Sequence, residues 1–252
     1  MSEDVLERVA PAGRALAYGG DPNQLIELYT TEGRPGAVVV FLHGGFWRDA
    51  YDRVHARPLA NALVEHGYAV ALVEYRRTGG GGGWPSTFDD VRRAVTVLRH
   101  DTDPRVPLIL AGHSAGGHLA LWAASTSTRF AGVVALAPVT DLVACETDGV
   151  GGDAVTLLLG GTPTEQSTRY ASVDPMALDA LPNVSIVHGV DDSEVPVDMS
   201  RRYAKEKGAD LVEMSDTGHY ELIDPLSRQW TTVLDAIART VTKHRAAIGE
   251  GV

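Results

Sequence analysis

The stretch Leu108-Ile109-Leu110-Ala111-Gly112-His113-Ser114-Ala115-Gly116-Gly117-His118-Leu119-Ala120 constrains the fold of this chain more than any other. An apolar run suited to a buried strand ends in Gly112-His113-Ser114-Ala115-Gly116, and a helix-compatible apolar pattern starts at once. Gly-x-Ser-x-Gly at such a junction is a sharp strand-to-helix turn that leaves a serine hydroxyl exposed above a sheet. The glycines have a steric reason, because a side chain at either position would collide with the crossing strand and helix while the serine is held in strained backbone geometry.

The rest of the chain keeps the same rhythm. Apolar runs at 37–42, 68–73, 133–136 and 184–187 read as strands, 209–214 as a last strand, and 24–29 as an edge strand in which Ile26 and Leu28 alternate with Glu27 and Tyr29. Helical spacing appears at 58–66, again after the candidate N-cap Ser86 with Val91, Ala94, Val95 and Leu98, at 197–207 and at 226–243. This alternation predicts right-handed β-α-β crossovers and a mostly parallel central sheet flanked by helices. Residues 1–23 read as an N-terminal arm. Residues 138–182, rich in Gly, Pro, Thr and Asp, read as a cap-like insertion of turns and short helices in one domain spanning 1–252. The glycine run 79–83 lacks the Lys and Ser/Thr of a phosphate-binding loop and reads as a mobile surface loop.

Charge and cysteine usage exclude some functions. A formal net charge of -11 argues against nucleic-acid and anionic-membrane partners, which need a basic surface. The lone Cys145 rules out an internal disulfide framework and suits a reducing compartment. The start, Met1-Ser2-Glu3-Asp4-Val5-Leu6-Glu7-Arg8, has no apolar core of a signal peptide, and no apolar run is long enough to span a bilayer. A cytoplasmic protein is expected.

A serine hydroxyl needs a base to act as a nucleophile, and the base needs an acid to orient it. Of nine histidines, His219 in Asp216-Thr217-Gly218-His219-Tyr220 falls in a loop between the last strand and the last helix, where a base belongs. His43 and His188 end earlier strands, His113 and His118 flank the serine too closely, and the others lie in or beside helices. The acid should follow the strand between serine and histidine, which leaves Asp191 and Asp192. Backbone donors for an oxyanion are available after His43, where Gly44 and Gly45 leave N–H groups unobstructed, and at Ala115 directly after the serine. No His-Glu-x-x-His helix is present, so neither a metal nor another cofactor is expected.

These features together resemble the α/β-hydrolase superfamily from about Gln24 to the last helix. The form His43-Gly44-Gly45-Phe46-Trp47, with Gly112-His113-Ser114-Ala115-Gly116-Gly117-His118-Leu119-Ala120, is similar to kynurenine formamidase and related carboxylesterases. The resemblance implies an α/β-hydrolase fold with a small cap and a serine hydrolase acting on a small-molecule ester or aryl formamide. In such enzymes the acid stands four residues before the proline of Asp-x-x-Val-Pro, which Asp192-Ser193-Glu194-Val195-Pro196 matches. The same carry-over implies Gly45, Phe46 and Ala115 as oxyanion donors. A formylkynurenine-like substrate would need an aromatic slot, for which Trp47 and Trp84 are the candidates beside Phe46 and Trp122, and a cation, from Arg48, Arg76 or Arg77. The competing class is a non-catalytic small-molecule-binding protein on the same scaffold, since one fold hosts many functions.

Overall fold

Aliphatic and β-branched runs form eight strands of one sheet in a computed structural model, which describes residues 3–127 and 130–249. In chain order these are β1 (Arg14–Ala17), β2 (Leu25–Tyr29), β3 (Val38–Leu42), β4 (Ala69–Val73), β5 (Leu108–His113), β6 (Gly132–Leu136), β7 (Val184–Gly189) and β8 (Asp210–Met214). The spatial order is β1-β2-β4-β3-β5-β6-β7-β8. The pairs β1/β2 and β2/β4 are antiparallel and the rest are parallel, so the sheet is mostly parallel as expected.

Among the described residues seven α-helices lie between strands and an eighth follows the last: α1 (Arg57–Glu65), α2 (Ser86–Asp101), α3 (Ala115–Ser125), α4 (Leu142–Thr147), α5 (Ala154–Leu159), α6 (Ser167–Val173), α7 (Val197–Lys207) and α8 (Trp230–Ala247). Strand side chains alternate between two cores. Val40 and Leu42 of β3 join α2, α3 and α7 on one face, and Val39 and Phe41 join α1 and α8 on the other. Helix α3 is buried on every side from Ala115 to Ala124, as its almost uninterrupted apolar sequence requires.

The structure departs from the sequence-based expectations in four places. Residues 24–29 do not form the edge, because β1, within the expected arm, pairs beyond β2. The arm also supplies a 3₁₀ turn, Glu3–Glu7, with Val5 fully buried. The glycine run is tied down rather than loose: Gly80 N and Gly82 N both donate to Arg77 O at 2.9 Å, and Trp84 N donates to Leu158 O at 2.7 Å. Ser86 is the first residue of α2 and makes no side-chain cap; Pro85 occupies the capping position. Among the described residues no helix is long and apolar enough to cross a membrane.

Candidate active site

Four strands deliver the candidate residues to one end of the sheet. Ser114 follows β5, the segment 43–47 follows β3, Asp192 lies in the loop after β7, and His219 lies beyond β8.

Ser114 has φ 55° and ψ -122°, a region costing on the order of 1–3 kcal/mol. Packing on both sides enforces it: Ser114 N donates to Leu136 O at 2.9 Å, and Ser114 O accepts from His118 N at 3.1 Å. A Cβ on Gly112 would stand 2.2 Å from Gly116 O, and one on Gly116 would stand 2.0 Å from Leu42 O. Any side chain at these positions would push the strand and helix apart.

His219 Nδ1 and Asp192 Oδ2 are 2.6 Å apart, and the side chains are 4% and 0% exposed. The other carboxylate oxygen, Oδ1, accepts from Glu194 N and Val195 N, both at 2.8 Å. Burial alone would raise the Asp192 carboxyl, but hydrogen bonds from His188 and His219, with the Val195 N–H, hold it well below the usual carboxylate range. Asp192 is therefore ionised at neutral pH and selects the His219 tautomer with the proton on Nδ1, leaving Nε2 able to accept one. Asp191, by contrast, is exposed. Among the described residues no hydrogen bond joins Ser114 Oγ to His219, although both line one cavity. Such contacts are often long before substrate binds.

Two further histidines support this pair, and sequence reasoning had set both aside. His188 Nε2 lies 3.2 Å from Asp192 Oδ2 and 2.9 Å from Val195 O, while its Nδ1 lies 2.7 Å from Ser200 Oγ. Its position at a strand end four residues before Asp192 was the available signal. His113 Nε2 lies 3.0 Å from His219 O, with the two rings 4.3 Å apart. Burial, with His219 beside it, keeps His113 far below the ordinary imidazole value, so it is neutral and donates Nε2–H to that carbonyl.

The loop after β3 turns through left-handed geometry at Gly45 (φ 109°), Phe46 (φ 48°) and Trp47 (φ 56°). Among the described residues the N–H groups of Gly45, Phe46 and Ala115 donate to no backbone or side-chain acceptor, so they are available to an oxyanion. A buried network holds the loop. The His43 ring nitrogens lie 2.8 Å from Gly44 O and 3.0 Å from Glu74 Oε1, and the ring stacks on Tyr75, whose hydroxyl donates to His43 O at 2.8 Å. Burial and the Arg77 charge hold His43 down to about 3, hence neutral. Glu74 in turn takes contacts from Arg53 and Arg77.

The cavity at Ser114 measures about 60 Å³ and is lined by His55, Tyr51, Glu194 and Tyr220 together with Leu6 and the residues already described. Neither tryptophan expected there lines it. Trp47 is fully buried in the α2/α3 core, its ring 5.2 Å from His118, because the left-handed turn at 46–47 points it beneath the sheet end. Trp84 packs on Phe88 of α2 at 5.4 Å. The three arginines are also committed elsewhere: Arg48 to Asp153 and Gly151 O, Arg76 in a fork on Asp90, and Arg77 to Glu74 and Asp49. The segment 138–182 folds into α4, α5 and α6 and touches the loop after β3, where a Cβ on Gly151 would lie 2.4 Å from the Phe46 ring, but it contributes no residue to the cavity lining. Among the described residues no group of three or more His, Cys, Asp or Glu is placed to hold a metal ion.

The sequence profile of the family BD-FAE matches residues 26–206, from β2 through most of α7. The chain belongs to the BD-FAE family. This BD-FAE chain is 25% identical over 227 residues to the Oryza sativa subsp. japonica protein named "Probable isoprenylcysteine alpha-carbonyl methylesterase", a match covering 78% of this chain and 54% of that one. It is 32% identical over 113 residues to kynurenine formamidase of Salmo salar, covering 44% and 38%. The chain thus spans about half or less of the length of these relatives. Among solved structures, esterase B of Lactobacillus rhamnosis superposes with a TM-score of 0.78 at 17% identity, covering 99% of this chain and 93% of that one. The BD-FAE chain has the α/β-hydrolase fold.

Proposed function

We propose that the chain is a serine hydrolase that cleaves a neutral, short-chain carboxylic ester through an acyl-enzyme. The observation that carries this reading is the buried Asp192–His219 pair, of which His219 lines the same cavity as Ser114, with three unengaged backbone N–H groups nearby. In this mechanism His219 Nε2 takes the Ser114 proton as Oγ attacks the ester carbonyl. The N–H groups of Gly45, Phe46 and Ala115 stabilise the oxyanion, the largest single contribution in such reactions. His219 then protonates the leaving alkoxide, its charge balanced by Asp192, and water repeats the sequence on the acyl-enzyme, releasing the acid.

A neutral ester is favoured by the lining itself. Among the described residues Glu194 is the only acidic side chain lining the cavity and no Lys or Arg lines it, while His55 and His113 are both held neutral by burial. A second reading, hydrolysis of an aryl formamide, is favoured by the similarity to salmon kynurenine formamidase. Among the described residues no cation lines the cavity to take an amino-acid carboxylate, and Arg48, Arg76 and Arg77 are paired elsewhere.

A fluorophosphonate probe should label Ser114, mapped by mass spectrometry, and Ser114→Ala should lose ester turnover with an unchanged circular dichroism spectrum. Full hydrolysis by Ser114→Ala would sink the proposal. Comparing kcat/KM for p-nitrophenyl acetate and N-formylkynurenine separates the two readings, with the ester preferred.

A further inference from the structure

We propose that Leu6 closes the acyl end of the cavity and sets the length of acyl chain the protein accepts. This rests on the hydrolase reading above. The apolar lining consists of Leu6, Phe46, Tyr51 and Tyr220. Three of these belong to the reacting machinery or its immediate support. Phe46 carries an oxyanion N–H, the Tyr51 side chain fills the space where Gly45 would carry a Cβ, and Tyr220 adjoins His219 with its ring 5.2 Å away. Leu6 comes from a different part of the chain, more than a hundred residues from Ser114, and no step of the reaction uses it.

What holds Leu6 there is built into the fold. The 3₁₀ turn Glu3–Glu7 packs against two other such turns, Arg53–Ala56 and Tyr220–Ile223. Val5 is fully buried in the α1/α8 core, and Leu6 packs at the border of the same cluster beside Tyr220. Arg8 then forks onto both oxygens of Asp224, five residues past His219, with Nη2 and Oδ2 2.9 Å apart. A bidentate guanidinium–carboxylate pair fixes orientation as well as distance. The segment is therefore a wall fastened to the loop that carries the base, and the small volume of about 60 Å³ behind it suits a short acyl group.

A hydrophobic pocket discriminates by roughly 10–200-fold per methylene. Leu6→Ala should therefore raise the ratio of kcat/KM for p-nitrophenyl hexanoate over acetate by about ten-fold or more. Leu6→Phe should lower the same ratio, and Arg8→Ala, which releases the fork, should shift it in the direction of Leu6→Ala by less. The inference is overturned if the acetate, butyrate, hexanoate and octanoate profiles of folded Leu6→Ala and Leu6→Phe superimpose on that of the unaltered chain. Should Leu6→Ala fail to give a cooperative unfolding transition, Leu6→Phe decides by the same ratio. An unaltered chain that cleaves none of the four esters and takes no label on Ser114 would remove the hydrolase reading, and the inference with it.

Discussion

Asp191 and Asp192 are neighbours in one loop with the same chemistry, yet only one can hold a base in place. Asp192 is buried and takes hydrogen bonds from two backbone N–H groups and from His219, while Asp191 is exposed. Asp192→Asn should keep the geometry but disturb the His219 tautomer, and kcat for ester hydrolysis should fall by roughly 10³–10⁴-fold. Asp191→Asn should leave kcat where it is. Equal losses in the two variants would reject the assignment. The residues alone leave the two aspartates indistinguishable, and only the resemblance, through its Asp-x-x-Val-Pro segment, points to Asp192. Ser114 and His219 can be singled out as candidates because a nucleophile needs a strained turn and a base needs a loop at the strand ends, which are local signals. Trp47, Trp84 and Leu6 could not be placed that way. Whether an apolar side chain faces a core or a cavity depends on what other segments pack around it, and no residue spacing encodes that.

At the scale of elements, β3 and α3 meet so closely that the contact admits no side chain. A Cβ on Gly116 would stand 2.0 Å from Leu42 O and 2.4 Å from His43 O, both backbone atoms that cannot swing aside. Gly116→Ala should cost about 3 kcal/mol or more and, if the proposed hydrolase reading holds, lower kcat, because separating the elements moves the loop after β3 relative to Ser114. Gly20→Ala, with nothing within 4 Å of the added Cβ, should change stability by less than about 0.5 kcal/mol. Thermal unfolding of both variants checks the contrast. The parallel strands β3, β5 and β6 are legible in the sequence because nearly every residue in them is buried and the runs are almost continuously apolar, a signal that β8, with Asp210 and Glu213 exposed, lacks. The strand β1 is not legible, since Arg14-Ala15-Leu16-Ala17 is short, mostly exposed and ordered by pairing with β2 rather than by its own pattern. The glycine run likewise gains its order from partners outside it, Arg77 and Thr87.

For the molecule as a whole, buried carboxylates set the response to acid. Glu27, 2% exposed, is engaged by Arg53, Arg57 and the Tyr29 hydroxyl. Burial pushes its carboxyl up, but those partners prevail and bring it down to about 2 from an ordinary 4.5. A carboxyl lowered by folding contributes stability that is fully present above 4.5 and is lost as pH falls through about 2. Glu27→Gln should cost on the order of 3 kcal/mol at pH 7, since it leaves two arginines without their shared partner. It should also flatten the fall in unfolding temperature between pH 4.5 and 2, and an unchanged slope would count against the role given to Glu27. The order of the strands carries a consequence of another kind. The sheet ends on one side at β1, four residues long and opened by Arg14, and on the other at β8, where Asp210 is paired with Lys243 and Glu213 with Arg201. A foreign strand docking on either side would have to strip water from those charges, so the ladder ends within the molecule instead of offering a template for polymerisation.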